Sequence, residues 1–219
     1  MNGLALTFHL AGINNQNFLM RDEETGSYWQ QISGAAISGP LAGKTLKLIP
    51  SDELTFALWK KEQPGGTVLK DVAIYVPDYA PKDWDVKMKK ARTVLSYAQP
   101  GLAPRDLMIG IHAFGAARAV PYEKALKEKL IADRVGGQPI ILVVGPDGQS
   151  VRAFHASGDF YRLNEQGALM LDDSGNRWNF QGCALEGPSK GKCLERVEIV
   201  KDYWFDWRHY NPSTTVYGR

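Results

Sequence analysis

The chain has 219 residues, 44% hydrophobic and 23% charged, a globular composition with enough length to bury a sizeable core. Lys and Arg number 26 against 24 Asp and Glu, and a net charge of +2 gives no concentrated positive surface for nucleic acid or an anionic membrane. No apolar run approaches the ~20 residues of a transmembrane helix, and the opening MNGLALTFHLAG lacks the basic and apolar regions of a signal peptide.

Taken in order, the alternation of Leu4, Leu6, Phe8 and Leu10 predicts a first strand, residues 13–17 a polar turn, and residues 18–20 a returning strand. Asp22 and Gly26 bracket a tight turn before Trp29, with the carboxylate accepting backbone N–H groups. A glycine-rich hairpin at 34–43 leads to a strand at 44–49 and a helix at 51–61, with Ser51 as N-cap, Asp52 and Glu53 in the first turn, and Leu54, Leu58 and Trp59 on its apolar face. A strand resumes at 67–69. Residues 75–84, rich in Pro and aromatics, read as irregular. Residues 86–98 read as an amphipathic helix whose basic run KMKKAR (87–92) forms a solvated face. Strands follow at 107–113 and 116–120, a helix at 122–131, and strands at 140–144 and 151–156 around the turn Pro146-Asp147-Gly148.

Residues 34–69 recur without a gap as residues 182–217. Gly34/Gly182, Ala36/Ala184, Gly39/Gly187, Pro40/Pro188, Gly43/Gly191, Lys44/Lys192, Leu46/Leu194, Trp59/Trp207, Pro64/Pro212, Thr67/Thr215 and Val68/Val216 coincide. Upstream, Asp172 and Gly175 before Trp178 repeat the Asp22 turn before Trp29, and Asp202 is placed to cap the second helix. The expected architecture is a single mainly β (β-rich α+β) domain over 1–219. In it, two pseudo-symmetric β lobes from an internal duplication (18–69 and 169–217) carry peripheral short helices around an unrepeated middle, 70–168.

The segment from Gly39 to Thr45 is no phosphate loop, because only three residues separate Gly39 from Gly43 and a strand is expected after Lys44; the second copy has Cys193 where a metal-binding hydroxyl is required. Cys183 and Cys193 sit symmetrically about Pro188, so they either bridge across a hairpin in an exported protein or remain two buried thiols; Ala35 and Thr45 hold those positions in the first copy. The four histidines His9, His112, His155 and His209 show no local metal spacing, and nothing calls for a cofactor or metal. His209, beside Asp206, Arg208 and Tyr210, and His155 are the candidate histidines. Asp22, Trp29, Asp172 and Trp178 are the candidate ligand-binding residues: their bland role is turn and core, their functional role an aromatic platform between lobes.

The spaced set Asp22, Thr25, Gly26, Ser27, Trp29, then Gly34, Ala36, Gly39, Pro40, Gly43, Leu46, resembles the bacterial family called domain of unknown function 3179 (DUF3179). The run AARAVPY (116–122), Gly136-Gly137-x-Pro139-Ile140, and the closing Tyr203-Trp204-Phe205-Asp206-Trp207 with Asn211-Pro212-x-Thr214 fit the same pattern. The resemblance implies no activity. It implies a cysteine-containing segment ahead of the first strand, often behind an export signal, and an arginine where this chain has His155. The expected function is non-catalytic binding of a small molecule or protein in a cleft between the lobes, with a hydrolase-like or metal-dependent His/Asp enzyme as the alternative.

Overall fold

The computed structural model describes residues 3–14, 17–47, 49, 51–156, 161–164 and 169–218. Strands β1 (Phe8–Asn14), β2 (Asn17–Asp22), β3 (Tyr28–Gln30) and β4 (Ala36–Ser38) form an antiparallel meander. The first strand starts later than its alternation suggests, and a bulge between Leu10 and Gly12 breaks the two-residue period, so Leu10 faces out while the Phe8 ring packs edge-on at 5.7 Å from Trp29. The centre of the polar turn expected at 13–17 lies outside the described residues.

Residues 44–47 do not form the expected strand: beyond the Ala35–Thr45 bridge the chain leaves the sheet. Helix α1 (Phe56–Glu62) starts five residues after Ser51 and is capped by Thr55, whose hydroxyl accepts the Leu58 N–H. Asp52 and Glu53 are drawn away from a helix N-terminus by Arg152, Arg196 and Lys201. Among the described residues, 67–69 meet no partner strand, so their strand propensity builds nothing. From residue 63 to residue 87 every side chain is exposed, through a 3₁₀ turn at Ala73–Asp78 and into helix α2 (Trp84–Lys90), which stops well short of 98.

The middle region supplies the largest core. Strands β5 (Leu107–Ala113) and β6 (Ala116–Pro121) pair as expected around Phe114 and Gly115, both in the left-handed region. Helix α3 (Tyr122–Glu128) follows, then β7 (Leu130–Val135), β8 (Gln138–Val144) and β9 (Val151–His155). Beyond these lie β10 (Tyr161–Leu163), β11 (Met170–Asp172), β12 (Arg177–Trp178) and β13 (Ala184–Glu186), a second meander. The chain then returns to the centre: β14 (Arg196–Val197) joins β9, β15 (Ile199–Tyr203) joins β5, and after helix α4 (Trp204–Tyr210) strand β16 (Thr215–Val216) lies parallel to β6. The result is a β-rich α+β fold of four four-stranded sheets with short helices. Ile109, Ile111, Val120, Ile131, Leu142 and Val197 bring both central sheets into one apolar cluster. Among the described residues, no helix is long and apolar enough to cross a membrane.

The two meanders share their registers. Met20 pairs Trp29 and Trp29 pairs Ala36 across an irregularity, as Met170 pairs Trp178 and Trp178 pairs Ala184. Helices α1 and α4 also stand at the constant offset of the sequence repeat.

Helix α4 is seated through Gly110 on β5, where an added methyl would overlap the Trp207 indole. Gly110→Ala is therefore expected to lower stability by about 1–3 kcal/mol through overpacking. A thermal melt checks it; an unchanged midpoint would show that the indole yields freely.

Candidate functional site

The two Asp–Trp turns are built alike. Asp22 accepts Thr25 N at 2.6 Å, Thr25 Oγ1 at 2.8 Å and Trp29 Nε1 at 2.7 Å, and Gly26 takes positive φ to close the turn. Asp172 accepts Ser174 N at 3.0 Å, Asn176 N at 2.9 Å and Trp178 Nε1 at 2.9 Å, with Gly175 in the same conformation. Burial alone would raise both carboxyls; the hydrogen bonds outweigh it and hold both below the ordinary carboxylate range. Trp29 is 0% and Trp178 3% exposed, so in this structure both rings are core and both indole N–H groups are satisfied.

His155, at the end of β9, stands apart from this. Its ring lies 5.2 Å from Phe114 and its Nδ1 is 3.7 Å from the exposed Glu195, just before β14. His209 lies elsewhere, on α4, with Nδ1 in a 2.6 Å hydrogen bond to the Tyr97 hydroxyl and its ring 4.7 Å edge-on from Tyr210.

Around His209 the chain collects residues from four separate stretches. Asn17 of β2 donates its amide to Asp206 Oδ1 and Oδ2 at 2.5 Å, and Gln30 of β3 donates to the Tyr210 hydroxyl at 3.2 Å. Tyr97 approaches from the segment between α2 and β5, and its carbonyl receives the Trp204 indole N–H at 3.1 Å. Asp202, at the end of β15, does not cap α4: its Oδ1 accepts its neighbour Tyr203 N at 2.7 Å, while the N–H groups of Trp204 and Phe205 go to the carbonyls of Asp106 and Pro104. The helix has Tyr203 at its N-cap position, and the loop carbonyls take over the capping.

Asp202, half-buried, and Asp206, buried, form a carboxyl pair. Asp202 Oδ2 is shut off from water and finds no donor among the described residues. Beside another carboxyl, such an oxygen is satisfied only by carrying the proton itself, as donor in an acid–carboxylate hydrogen bond. Burial first, and then the charge of Asp206, push the Asp202 carboxyl up to about 8; burial raises Asp206 also, although the Asn17 amide opposes it. Both carboxyls are thus biased towards holding a proton, with Asp206 braced by the Asn17 amide.

At the repeat offset, Asp202 and Asp206 fall on Leu54 and Leu58. Those leucines pack with Phe180, Trp178 and Met170 of the second meander, Leu58 being 7% exposed. On α4 an equally buried position, 6% exposed, holds Asp206 facing the first meander. This internal contrast, together with Asn17 and Tyr97, is what the residue-by-residue sequence analysis does not reach. The signal lay in aligning the two helices position by position. Among the described residues, no three His, Cys, Asp or Glu side chains gather as a metal site.

The fold and this junction define a β-rich α+β protein with a polar contact between its first meander and its last helix. Residues 1–214 match the family described as "Protein of unknown function (DUF3179)", and the chain belongs to that family. Comparison with curated proteins and with solved structures finds no match.

Proposed function

We propose that this chain is a non-catalytic ligand- or partner-binding domain made of two copies of one β unit, 18–69 and 169–217, flanking the unrepeated 70–168, and that its full-length form is exported. Binding is placed at the junction of α4 with β2 and β3. The observation that carries this reading is the Asp202–Asp206 pair where the first copy has Leu54 and Leu58. Burying two carboxyls costs stability, and the first copy demonstrates that leucines fill such positions, so the acids are retained for something other than packing. His209 and Tyr97, half-buried at the edge of the pair, are the groups a ligand would meet first.

The test is a thermal-shift screen of sugars, amines and organic acids against the wild type and His209→Ala at pH 6.5. A ligand at 100 times its Kd stabilises by about 2.7 kcal/mol, a rise of roughly 5–10 °C for a chain of this size. The rise is expected to shrink in His209→Ala. A rise of equal size in both proteins would move the site elsewhere, and a silent panel would count against small-molecule binding.

A hydrolase-like enzyme is the second reading, favoured by one observation: a protonated carboxyl, a carboxylate and a Tyr–His hydrogen bond of 2.6 Å lie together, an inventory suited to proton transfer. Turnover of any ester or glycoside that disappears in Asp202→Asn while folding is kept would replace binding by catalysis.

A further inference from the structure

The bond between Cys183 and Cys193 has an internal control. The hairpin of the first meander makes the same closing contacts without any sulfur: Ala36 N to Lys44 O at 2.8 Å, Gly43 N to Ala36 O at 2.9 Å and Leu46 N to Gly34 O at 2.9 Å. In the second meander these become Ala184 N to Lys192 O at 2.8 Å, Gly191 N to Ala184 O at 2.9 Å and Leu194 N to Gly182 O at 2.8 Å. The cysteines occupy the same cross-strand bridge that Ala35 and Thr45 form. Backbone hydrogen bonds and glycines in the left-handed region at Gly187 and Gly191, as at Gly39 and Gly43, therefore suffice to hold this hairpin. The disulfide is added to a structure that closes without it.

The two sulfurs differ in access. Cys193 is exposed; Cys183 is half-buried, its N–H donating to Asn179 Oδ1 at 2.9 Å. A disulfide that is open to attack on one side and dispensable to the local fold is suited to exchange.

We propose that Cys183–Cys193 is an exchangeable disulfide that takes two electrons from a protein dithiol while the fold stays intact. The incoming thiolate attacks Cys193 Sγ, the S–S bond breaks, and Cys183 leaves with the electron pair and takes up a proton. The second thiol of the partner then attacks the mixed disulfide and releases Cys193 as thiolate. The partner departs oxidised, and this chain holds two thiols. The proposal is independent of the binding reading, because it uses neither α4 nor the first meander's junction.

The experiment treats the folded wild type with dithiothreitol in the absence of denaturant, follows with iodoacetamide, and records mass, far-UV circular dichroism and thermal unfolding. Both thiols are expected to be alkylated, with the dichroism unchanged and a cooperative melt lowered by about 5–10 °C, the loss of a closed loop of about ten residues. Replacing the reductant with glutathione disulfide before alkylation, which takes back the two electrons, should restore the original midpoint. In a second arm, Cys183→Ala, which copies Ala35, is incubated with glutathione disulfide and should carry one glutathione on Cys193. Thiols that become alkylatable only in denaturant, a reduced form without a cooperative melt, or a Cys193 that stays unmodified would each overturn the proposal.

Discussion

Arg152→Ala is expected to lower stability by about 3–5 kcal/mol, the cost of breaking a buried ion pair from one side. The guanidinium, 3% exposed, sits on β9 and is gripped by two carboxylates from the α1 region. Its Nη2 donates to Asp52 Oδ2 and Glu62 Oε2, both at 2.7 Å, its Nη1 to Glu62 Oε1 at 2.9 Å, and its plane lies 4.5 Å from the Phe180 ring centre. Removing it leaves Asp52 with Arg196 alone and Glu62 with Gln181. The segment that carries Leu58 into the second meander's core then loses its anchor. A fall of roughly 6–20 °C in the melting midpoint follows. Arg152→Lys should recover only part of it, since an ammonium cannot make two forked pairs. A loss under 1 kcal/mol would mean that the leucines hold α1 unaided.

The same cluster sets acid stability. Burial raises the Asp52 carboxyl, but Arg152 and Arg196 outweigh this and bring it to about 2; Ser150 and Thr55 do the same for Asp147. Both folded pKa values are depressed, so their contribution is complete above the unfolded value near 4 and is lost as pH falls through about 2.

The second large effect has the opposite sign. Asp202 and Asp206 are raised in the folded state, so the unfolded chain gives up their protons first. The wild type should therefore lose stability as pH rises from about 4 towards 8, where Asp202 also ionises. The double variant Asp202→Leu, Asp206→Leu places there the residues that stand at Leu54 and Leu58 and removes both acids. At pH 8.5 it is expected to be more stable than the wild type by on the order of 1–4 kcal/mol, less whatever Asn17 loses as its acceptor disappears. Urea unfolding of both proteins at pH 5 and pH 8.5 checks this. A variant that keeps the wild-type slope with pH would show that the pair does not hold its proton in the folded state.

Much of the fold was legible because its rules are local. Strands β5, β6, β8 and β9 have β-branched or apolar runs between turn signals and form at nearly the expected bounds, whereas β7 takes Leu130 and Ile131 from the expected helix, which ends at Glu128. The Asp–Trp turns and the glycines of both hairpins were readable for the same reason: positive φ and a carboxylate over nearby N–H groups are decided within a few residues. Where local propensity needed a distant partner, it misled. Residues 67–69 favour a strand but meet none, and Ser51 was passed over as a cap once Arg152 and Arg196 had claimed Asp52.

By itself the sequence determined the repeated turn geometry, the β-rich character and the family likeness, because each rests on residues close in the chain or on identity between two stretches. It left open whether Cys183 and Cys193 bridge, and register decided that by setting them opposite each other across a hairpin. The junction of Asn17, Tyr97, Asp202, Asp206 and His209 exists only in the tertiary structure. Its members lie up to 192 positions apart, Asn17 to His209, and only packing decides which way their side chains point and whether water reaches them. That exclusion of water is what raises both carboxyls above the ordinary aspartate range.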